Sequence, residues 1–292
     1  MPEYPDIIVY IERLIHFTKH QELKRVRIAN PFLLRTAEPP ITEIEGRILQ
    51  SIERMGKRII FEFDDIYFLV LHLMISGRLH WETSGCKIPA KKGLAALDFE
   101  NGSLLLTEAS TKKRASLHLV KGRDQLNAFD RGGLEVLEAS LAEFRTAITA
   151  ENHTLKRTLT DPRILSGIGN AYSDEILHRA KLSPVQQIKN LADEEIETLY
   201  TATKAVLKEW AERLREKTGD GFPKKVTAFH KEMAAHGKFG QPCPVCGSKI
   251  QRIRYATNET NYCPQCQTGG KLLADRALSR LLKKDWPKTI KE

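Results

Sequence analysis

No run of eighteen or more apolar residues occurs in the 292-residue chain, and this absence excludes a membrane-spanning helix. The N-terminus also lacks the basic residues and unbroken apolar stretch of a secretory signal peptide, because Asp6 and Glu12 interrupt it. Internal repeats and low-complexity tracts are missing as well. With 41% hydrophobic and 28% charged residues, the composition is that of a globular protein large enough for two or three domains. We therefore expect a cytoplasmic protein without a membrane partner.

Acidic residues are scarce in the last part of the chain. Residues 223–292 contain fourteen lysines and arginines against five aspartates and glutamates, which accounts for the whole net charge of +9. The first 222 residues are therefore neutral overall. A basic end on a neutral body indicates a surface for a polyanion, and a merely soluble basic tail is the alternative.

Cysteine is also rare, and four of the five cysteines stand in two C-x2-C pairs, Cys243 with Cys246 and Cys263 with Cys266. Thiolates at this spacing bind one tetrahedral Zn²⁺, and a cytosolic chain keeps them reduced rather than disulfide-bonded. Four protein ligands leave no open coordination position, so the predicted zinc is structural. The residues between the pairs alternate like a β-hairpin, which predicts a zinc ribbon. Cys86 is expected to be an inert thiol.

The hydrophobic pattern predicts an α+β protein of several domains. Helical spacing predicts an N-terminal helix over 6–17 with Asp6 near its N-cap, and strand-like segments follow from about 23 to 120. Polar turns at Asp64-Asp65 and at Glu100-Asn101-Gly102 indicate β-hairpins. We predict an N-terminal helix plus β-sandwich domain over 2–125, a helical domain over 126–222, a zinc ribbon over 223–270 and a basic C-terminal extension over 271–292.

Residues 161–170, DPRILSGIGN, precede a helical segment. Gly167 and Gly169 free backbone N–H groups to point outward, and the next helix adds its positive dipole end, so this turn is suited to hold a phosphate. A dinucleotide-binding fold is excluded because no strand precedes the turn and a third glycine is missing. A tight helix–helix connection remains the alternative from these residues alone.

The start of the chain, Met-Pro-Glu, offers a nucleophile. Methionine before proline is usually trimmed, which would leave Pro2 with a free secondary amine. An α-amino group titrates at about pH 8, so a sizeable fraction is neutral and nucleophilic near neutral pH. Attack of this amine on a sugar C1′ gives an iminium, from which strand-breaking elimination is easy. Glu3 beside it is suited to donate or shuttle a proton.

Five segments together resemble the formamidopyrimidine-DNA glycosylase and endonuclease VIII family, in the family's order, from residue 2 to Gln267. They are MPEYPDI, RMGKRIIFEF, HLMISGRL, TLTDPRILSGIGNAYSDEILHRA, and GQPCPVCGSKIQRIR with NYCPQCQ. The resemblance implies a catalytic β-sandwich, a helix–two-turn–helix domain and a zinc ribbon. It also implies a bifunctional enzyme of base excision repair, which excises damaged bases and cleaves abasic sites through a Schiff base at the N-terminal proline.

The same resemblance implies roles for the residues that match the family's motifs. Pro2 forms the Schiff base, Glu3 protonates the opening sugar or assists the leaving base, and Lys57 stabilises charge at the lesion. Glu175 matches a glutamate that helps to hold the terminal amine. The positions that contact phosphates correspond to His72, Lys156 and Asn170.

Three departures from the family's pattern lie in the parts that read and clamp the DNA. In HLMISGR, Met74 stands where the family has glycine, and Ile75 stands where the family has a methionine that fills the void beside the flipped base. The loop that supplies an arginine and a phenylalanine in the family is replaced by residues 110–115. Its basic residues are Lys112, Lys113 and Arg114. Asn258 replaces an arginine in the turn of the zinc ribbon. We expect these residues to contact DNA without the usual preference for oxidised purines.

The sequence leaves three functions open. The leading one is a DNA glycosylase with abasic-site lyase activity. The second is an abasic-site lyase or a cross-link and unusual-lesion enzyme with little activity on 8-oxoguanine, and the third is a non-catalytic DNA-binding paralogue. The expected cofactor is structural Zn²⁺. The expected partner is damaged double-stranded or single-stranded DNA, bound by a monomer associated with the nucleoid.

Overall fold

The computed structural model describes residues 1–255, 258–275, 281 and 287–290, so most of the predicted extension over 271–292 lies outside the described residues. The chain forms two compact units. The first contains Met1–Arg131 and Trp210–Thr227, and the second contains Gly132–Glu209 and Ala228–Glu292. The described helices include none that is both long enough and apolar enough to cross a membrane.

The first unit is an N-terminal helix with two antiparallel four-stranded sheets. The helix α1 covers Tyr4–Thr18. The strands are β1 Leu23–Ile28, β2 Leu49–Met55, β3 Arg58–Phe63, β4 Tyr67–His72, β5 Gly77–Glu82, β6 Gly93–Phe99, β7 Gly102–Glu108 and β8 Ser116–Lys121. One sheet has the order β1-β6-β7-β5 and the other has the order β2-β3-β4-β8. Short 3-10 helices lie at Pro31–Leu33, Ile41–Ile44 and Arg123–Ala128.

The core of this unit consists of apolar side chains from both sheets and from α1. Every residue of β6 and β7 is buried, as expected for strands in the middle of their sheet. The fully buried aromatic side chains include Tyr10, Phe61, Phe63 and Phe99. The predicted helix plus β-sandwich is therefore confirmed.

Both hairpins predicted from polar turns are present. Asp64 and Asp65 have positive φ angles of 49° and 56°, the conformation that the two central residues of a hairpin turn need when the turn follows the twist of its strands. The turn joins β3 to β4, whose register ends at Phe63 opposite Tyr67. The pair β6–β7 closes with Phe99 opposite Gly102.

The helix α1 begins earlier than the sequence predicts. Its N-cap is Glu3 rather than a residue near Asp6, and Asp6 is the third helical residue. Pro5 is compatible with this start because the first turn of a helix leaves backbone N–H groups without intrahelical acceptors. The Asp6 carboxylate accepts a hydrogen bond of 2.9 Å from the Glu3 backbone N–H, as in a capping box.

The second unit is helical and ends in a two-stranded hairpin. Its helices are α2 Leu141–Thr149, α3 Leu155–Thr160, α4 Asn170–Ala180, α5 Asp193–Thr218, whose last turns belong to the first unit, and α6 Pro264–Thr268. A short 3-10 helix lies at Ile188–Asn190. The hairpin consists of β9 Gln251–Arg254 and β10 Glu259–Tyr262, in antiparallel register. The predicted hairpin between the two cysteine pairs is confirmed.

Candidate active site and nucleic-acid interface

The first residues of the chain are largely shielded from solvent. Pro2 and Glu3 are buried, with Glu3 only 2% exposed. Burial is the largest influence on the N-terminal amine, here that of Met1, and lowers its pKa below the ordinary value. The positive charges of Arg78 and Lys57 lower this pKa further. A lowered pKa keeps more of the amine neutral, which is the nucleophilic form.

Two carboxyl groups face the same amine. Glu3 and Asp6 both raise the pKa of the amine, against the effect of burial. Asp6 itself is 4% exposed, and burial raises the pKa of its carboxyl group to about 7, with the nearby Glu3 adding to the increase. Among the residues that the structure describes, Asp6 Oδ1 has no hydrogen-bond partner. A buried carboxyl group that titrates near neutral pH beside an amine is suited to hold and release a proton.

Lys57 and His72 occupy neighbouring strand ends. Lys57 is half-buried and follows Gly56, whose φ of 60° forms the turn between β2 and β3. His72 ends β4, and burial lowers its pKa to about 4, with Arg58 and Lys57 adding to the decrease. The imidazole is thus neutral near pH 7, so any contact of His72 with a phosphate is a neutral N–H donor rather than a cation.

A cavity of about 470 Å³ opens beside the N-terminal helix. Asp6 and Val9 of α1 line one side, and Lys217 of α5 with residues 221–226 lines the other. The Phe222 ring is tilted against Tyr10, with ring centroids 5.7 Å apart. The pocket thus combines an aromatic wall, a buried carboxyl group and lysine side chains.

Arg78 connects this cavity to the turn that follows β4. Its Nε donates a hydrogen bond of 2.7 Å to the carbonyl of Val226, which lines the cavity. Its Nη1 donates to the carbonyls of Ile75 and Gly77 at 3.3 and 2.7 Å. The sequence did not indicate Arg78 as a site residue, and it indicated Asp6 only for the helix start, although both stand inside the motifs HLMISGRL and MPEYPDI.

The turn of residues 73–77 exposes one apolar side chain. Met74 adopts a φ of 52°, in the left-handed region that glycine occupies most easily, and its Sδ contacts Nδ1 of His72. Gly77 is required, because a Cβ atom there would lie 2.3 Å from the carbonyl oxygen of Leu73. Ile75 is 55% exposed at the tip.

The basic loop of residues 110–115 presents only part of its charge. Lys112 and Arg114 are exposed, whereas Lys113 is half-buried. The Lys113 ammonium donates to the backbone carbonyl of Glu108. The expectation that all three basic residues contact DNA is therefore best supported for Lys112 and Arg114.

In the second unit, Lys156 and Asn170 are engaged with protein groups. Lys156 Nζ donates to the carbonyl of Asn170 at 2.7 Å and lies 2.5 Å from Asp174, which is fully buried. The Asn170 side chain donates to the carbonyl of Glu259 in β10 at 2.9 Å. Asn170 is the first residue of α4, after Gly169 at the N-cap and Gly167 with a φ of 78°. Two of the three predicted phosphate residues, Lys156 and Asn170, therefore lie together at one helix start, where Asp174 compensates the charge of Lys156.

Glu175 anchors a segment of its own unit. Its carboxylate accepts hydrogen bonds of 2.9 Å from the backbone N–H groups of Ala234, Ala235 and His236. His236 in turn pairs with Asp174 at 2.8 Å, next to the pair of Asp174 with Lys156. These bonds give Glu175 a structural role that sequence reasoning did not anticipate, because the bonded segment is distant in the chain.

The four paired cysteines meet at one point. The Sγ atoms of Cys243, Cys246, Cys263 and Cys266 all lie within 4.8 Å of one another. Soft thiolates in a closed group of four are the donor set that structural zinc takes, so the residues fit the ion. Nε2 of His178 lies 3.2 Å from Cys243 Sγ and is placed to orient this ligand. Asn258, in the turn between β9 and β10, is exposed.

Comparisons with known proteins agree with this arrangement. The model of the formamidopyrimidine-DNA glycosylase N-terminal domain matches residues 1–117, that of the formamidopyrimidine-DNA glycosylase H2TH domain matches 134–219, and that of the zinc finger found in FPG and IleRS matches 240–269. The formamidopyrimidine-DNA glycosylase of Desulfitobacterium hafniense is 30% identical over 279 residues, which cover 91% of this chain and 100% of that relative. The chain belongs to the formamidopyrimidine-DNA glycosylase family.

Further members of the formamidopyrimidine-DNA glycosylase family are equally similar. The enzyme of Thermus thermophilus is 31% identical over 281 residues, covering 92% of this chain and 100% of the relative. The structure of the Lactococcus lactis Fpg in complex with an abasic-site-containing DNA superposes with a TM-score of 0.79 at 25% identity, covering 91% of this chain and 99% of that one.

Family membership confirms the leading functional prediction. The protein is a DNA repair glycosylase with abasic-site lyase activity, it binds DNA, and its zinc finger holds a structural zinc ion. The helix–two-turn–helix domain predicted between the β-sandwich and the zinc ribbon is likewise confirmed. Bound zinc fixes the ribbon by tying its two cysteine pairs together.

Proposed function

We propose that this enzyme acts through the secondary amine of Pro2, exposed by removal of Met1, and that it prefers abasic and strongly distorted sites over 8-oxoguanine. The observation that carries the first part is the burial of Pro2 at the chain start, in surroundings where burial and the charges of Arg78 and Lys57 lower the pKa of the adjoining Met1 amine. Glu3 serves as the proton donor to the opening sugar, and Lys57 stabilises negative charge at the lesion. We retain the four-part domain division, with the catalytic domain over 2–125.

The chemistry follows from a neutral secondary amine. The amine nitrogen attacks C1′ of the damaged nucleotide, the bond from C1′ to the base breaks, and the base leaves with the electron pair and takes up a proton. At an abasic site the same amine adds to the C1′ aldehyde and water is lost. After loss of a base the C1′–O4′ bond of the sugar then breaks and O4′ takes up a proton, so both substrates give the same iminium at C1′. Loss of a C2′ proton then expels the 3′ phosphate. The charges of Glu3 and Asp6 act on the amine at the chain start, and we assign the exchange of these protons to their carboxyl groups.

The cavity between α1 and residues 221–226 is our candidate for the flipped base. Its volume of about 470 Å³ is adequate for a purine or pyrimidine ring, and Phe222, whose ring packs against the buried Tyr10, supplies an apolar wall. Asp6 lines this cavity, and we assign its carboxyl group, whose buried Oδ1 has no hydrogen-bond partner among the described residues, to a polar edge of the base. Base flipping is necessary because C1′ cannot be attacked from inside the stack.

For the DNA strand itself we propose two groups of contacts, one in each unit. In the first unit they are His72, Ile75, Lys112, Lys113 and Arg114. In the second unit they are Lys156, Asn170 and Asn258. Glu175 supports them by fixing residues 234–236. We further propose that the enzyme acts as a monomer associated with the nucleoid, and that it accepts both double-stranded and single-stranded damaged DNA.

Borohydride trapping on a duplex with one abasic site tests the nucleophile. The protein without Met1 is expected to form a covalent adduct, and Pro2→Gly or retention of Met1 is expected to abolish it or reduce it at least about a hundredfold. Pro5→Ala is the matched control, because it changes the other buried proline of the same helix start without changing the amine. An adduct that maps to Lys57 by mass spectrometry would refute the assignment to Pro2.

A further inference from the structure

The two loops assigned to the DNA void share one buried carboxylate. Glu108 is the last residue of β7 and is 1% exposed. Its Oε1 lies 3.1 Å from Ser76 Oγ, in the turn of residues 73–77, and 3.2 Å from Ser110 Oγ, in the basic loop. A single oxygen atom therefore joins two segments that are more than thirty residues apart in sequence.

The other carboxylate oxygen fixes the far end of the basic loop. Glu108 Oε2 accepts hydrogen bonds from the backbone N–H groups of Arg114 and Ala115, at 2.8 and 3.0 Å. The backbone carbonyl of Glu108 also accepts a hydrogen bond from the Lys113 ammonium. Hydrogen bonds to an ionised carboxylate are stronger than neutral ones, and several of them are needed to compensate for its burial. The loop is thus held at both ends by one residue.

The turn of residues 73–77 is held just as closely. Gly77 stands opposite Glu108 in the register of β5 and β7, and its N–H donates to the Leu73 carbonyl at 2.9 Å. In the chain, the exposed Ile75 lies between Leu73, whose carbonyl accepts from Gly77, and Ser76, whose hydroxyl donates to Glu108. The Ile75 side chain and the basic loop are consequently held at a fixed relative position.

We propose that Glu108 is a positioning residue that couples the turn of residues 73–77 to the basic loop, so that Ile75, Lys112 and Arg114 enter a damaged duplex as one rigid unit. This inference rests on the proposed function, which assigns both segments to DNA. Coupling is useful because filling a void and contacting the opposite strand must happen together, and preorganised groups lose less conformational entropy on binding. A single strand has no opposite strand to displace, so the coupling affects duplex substrates only.

The test removes the hydroxyl that contacts Glu108 from each segment with Ser76→Ala, Ser110→Ala and the double variant. Ser110→Ala also removes the hydrogen bond of 2.8 Å from Ser110 Oγ to the Lys112 carbonyl within the basic loop. Cleavage is measured on one abasic-site strand, alone and paired in a duplex. Each single variant is expected to lower kcat/KM on the duplex about three- to tenfold, and the double variant to be no more than about twofold worse than the poorer single variant. Cleavage of the single strand should stay within about twofold. Ser103→Ala is the matched control, because Ser103 donates to the buried carboxylate of Asp98 in the same sheet.

Two variants of Glu108 separate its geometry from its charge. In Glu108→Gln the amide oxygen can accept from the N–H groups of Arg114 and Ala115, while the amide nitrogen donates to the serine hydroxyl oxygens, so duplex cleavage should remain within about threefold. Glu108→Ala should lose duplex cleavage at least as strongly as the double serine variant. Its melting temperature is measured alongside, and if it does not fold, the serine series decides.

Two outcomes would overturn the coupling. Multiplicative losses in the double serine variant would show that the two segments act independently. An equal loss on single-stranded and duplex DNA would show a merely structural role. Failure of the proposed function is distinguishable from both, because the borohydride-trapped adduct of the unaltered protein would then be missing on both substrates or would map to Lys57.

Discussion

Asp6 illustrates how one residue serves both folding and chemistry. Its Oδ2 accepts from the Glu3 backbone N–H and so supports the start of α1, while the residue also lines the cavity. Burial in this position raises the pKa of the carboxyl group, because water no longer solvates its charge. The favourable charges of the N-terminal amine and Arg78 only partly offset this effect, and Glu3 opposes them.

The raised pKa of Asp6 predicts a pH-dependent stability. Because the pKa is about 7 in the folded protein and 3.8 is the ordinary value, the folded state retains a proton that the unfolded state loses. Stability therefore falls as the pH rises from about 4 to 7 and stays lower above that range. Asp6→Asn mimics the protonated group, so the melting temperature of the wild type should fall relative to that of the variant by roughly 2–6 °C between pH 5 and pH 8. Thermal melts at both values measure it, and parallel curves would contradict the pKa shift.

At the level of secondary-structure elements, the sequence predicts those that depend on neighbouring residues. The turn at Asp64 and Asp65 follows from the strand-like segments on either side of it, and the zinc hairpin follows from the cysteine spacing. The start of α1 was misplaced by two residues, because the sequence pattern shows apolar spacing but not that Asp6 bonds back to Glu3. Capping contacts of this kind depend on side-chain geometry, which periodicity does not encode.

Long-range bonds explain what the sequence did not reveal about the site. The bonds of Arg78 to Val226, of Glu108 to Ser76 and of Glu175 to residues 234–236 join segments that are distant in the chain. A single sequence gives no signal for such pairs. The motifs therefore indicated which residues are present at the site, but not that Lys113 and Lys156 would be engaged with protein groups.

The zinc ribbon is the element whose loss is easiest to test. Chelation of zinc, or Cys243→Ser with Cys246→Ser, should lower DNA affinity at least about tenfold, because metal binding supplies the folding free energy of so small a hairpin. The far-ultraviolet circular dichroism of the β-sandwich should persist, since its core involves neither strand of the hairpin. Cys86→Ser is the control, as Cys86 lies outside the group of four. Unchanged affinity in the double variant would contradict a role of the ribbon in binding.

On the scale of the whole molecule, the excess positive charge is concentrated in the last part of the sequence. The +9 of residues 223–292 equals the net charge of the chain, and Lys and Arg in contact with phosphates release condensed counterions. With roughly four to eight phosphates contacted, the slope of log affinity against log salt concentration should be about −4 to −7. Titration of labelled duplex at several salt concentrations measures the slope. A value near zero would mean that the basic region is not the binding surface.

The choice of lesion is the property in which this protein should differ most from its relatives. The basic loop carries no aromatic side chain, and Lys112 and Arg114 keep exposed charge without a stacking face. Base–aromatic stacking contributes about 1–3 kcal/mol, so losing one such contact lowers the stability of a flipped duplex by roughly ten- to a hundredfold. Ile75 is exposed and can fill part of the void, but a β-branched side chain adapts less than the methionine of the family would.

We therefore predict weak excision of 8-oxoguanine opposite cytosine and better activity where the opposite strand matters less. Such substrates are abasic sites, ring-saturated or strongly distorted bases, and lesions in single strands or bubbles. In all of them, less free energy is needed to break stacking and base pairing when the nucleotide flips out. Rates on these oligonucleotides should be compared side by side with one enzyme preparation.

An added aromatic residue in the basic loop tests the same idea from the other direction. Thr111 is exposed, so Thr111→Phe supplies a stacking face there, whereas Ala115 is only 2% exposed and Ala115→Phe would disturb the core. That variant should gain on duplex 8-oxoguanine relative to the single-stranded lesion. Efficient excision of 8-oxoguanine by the unaltered enzyme, with a strong preference for cytosine as the opposite base, would instead mean that other residues replace the missing phenylalanine.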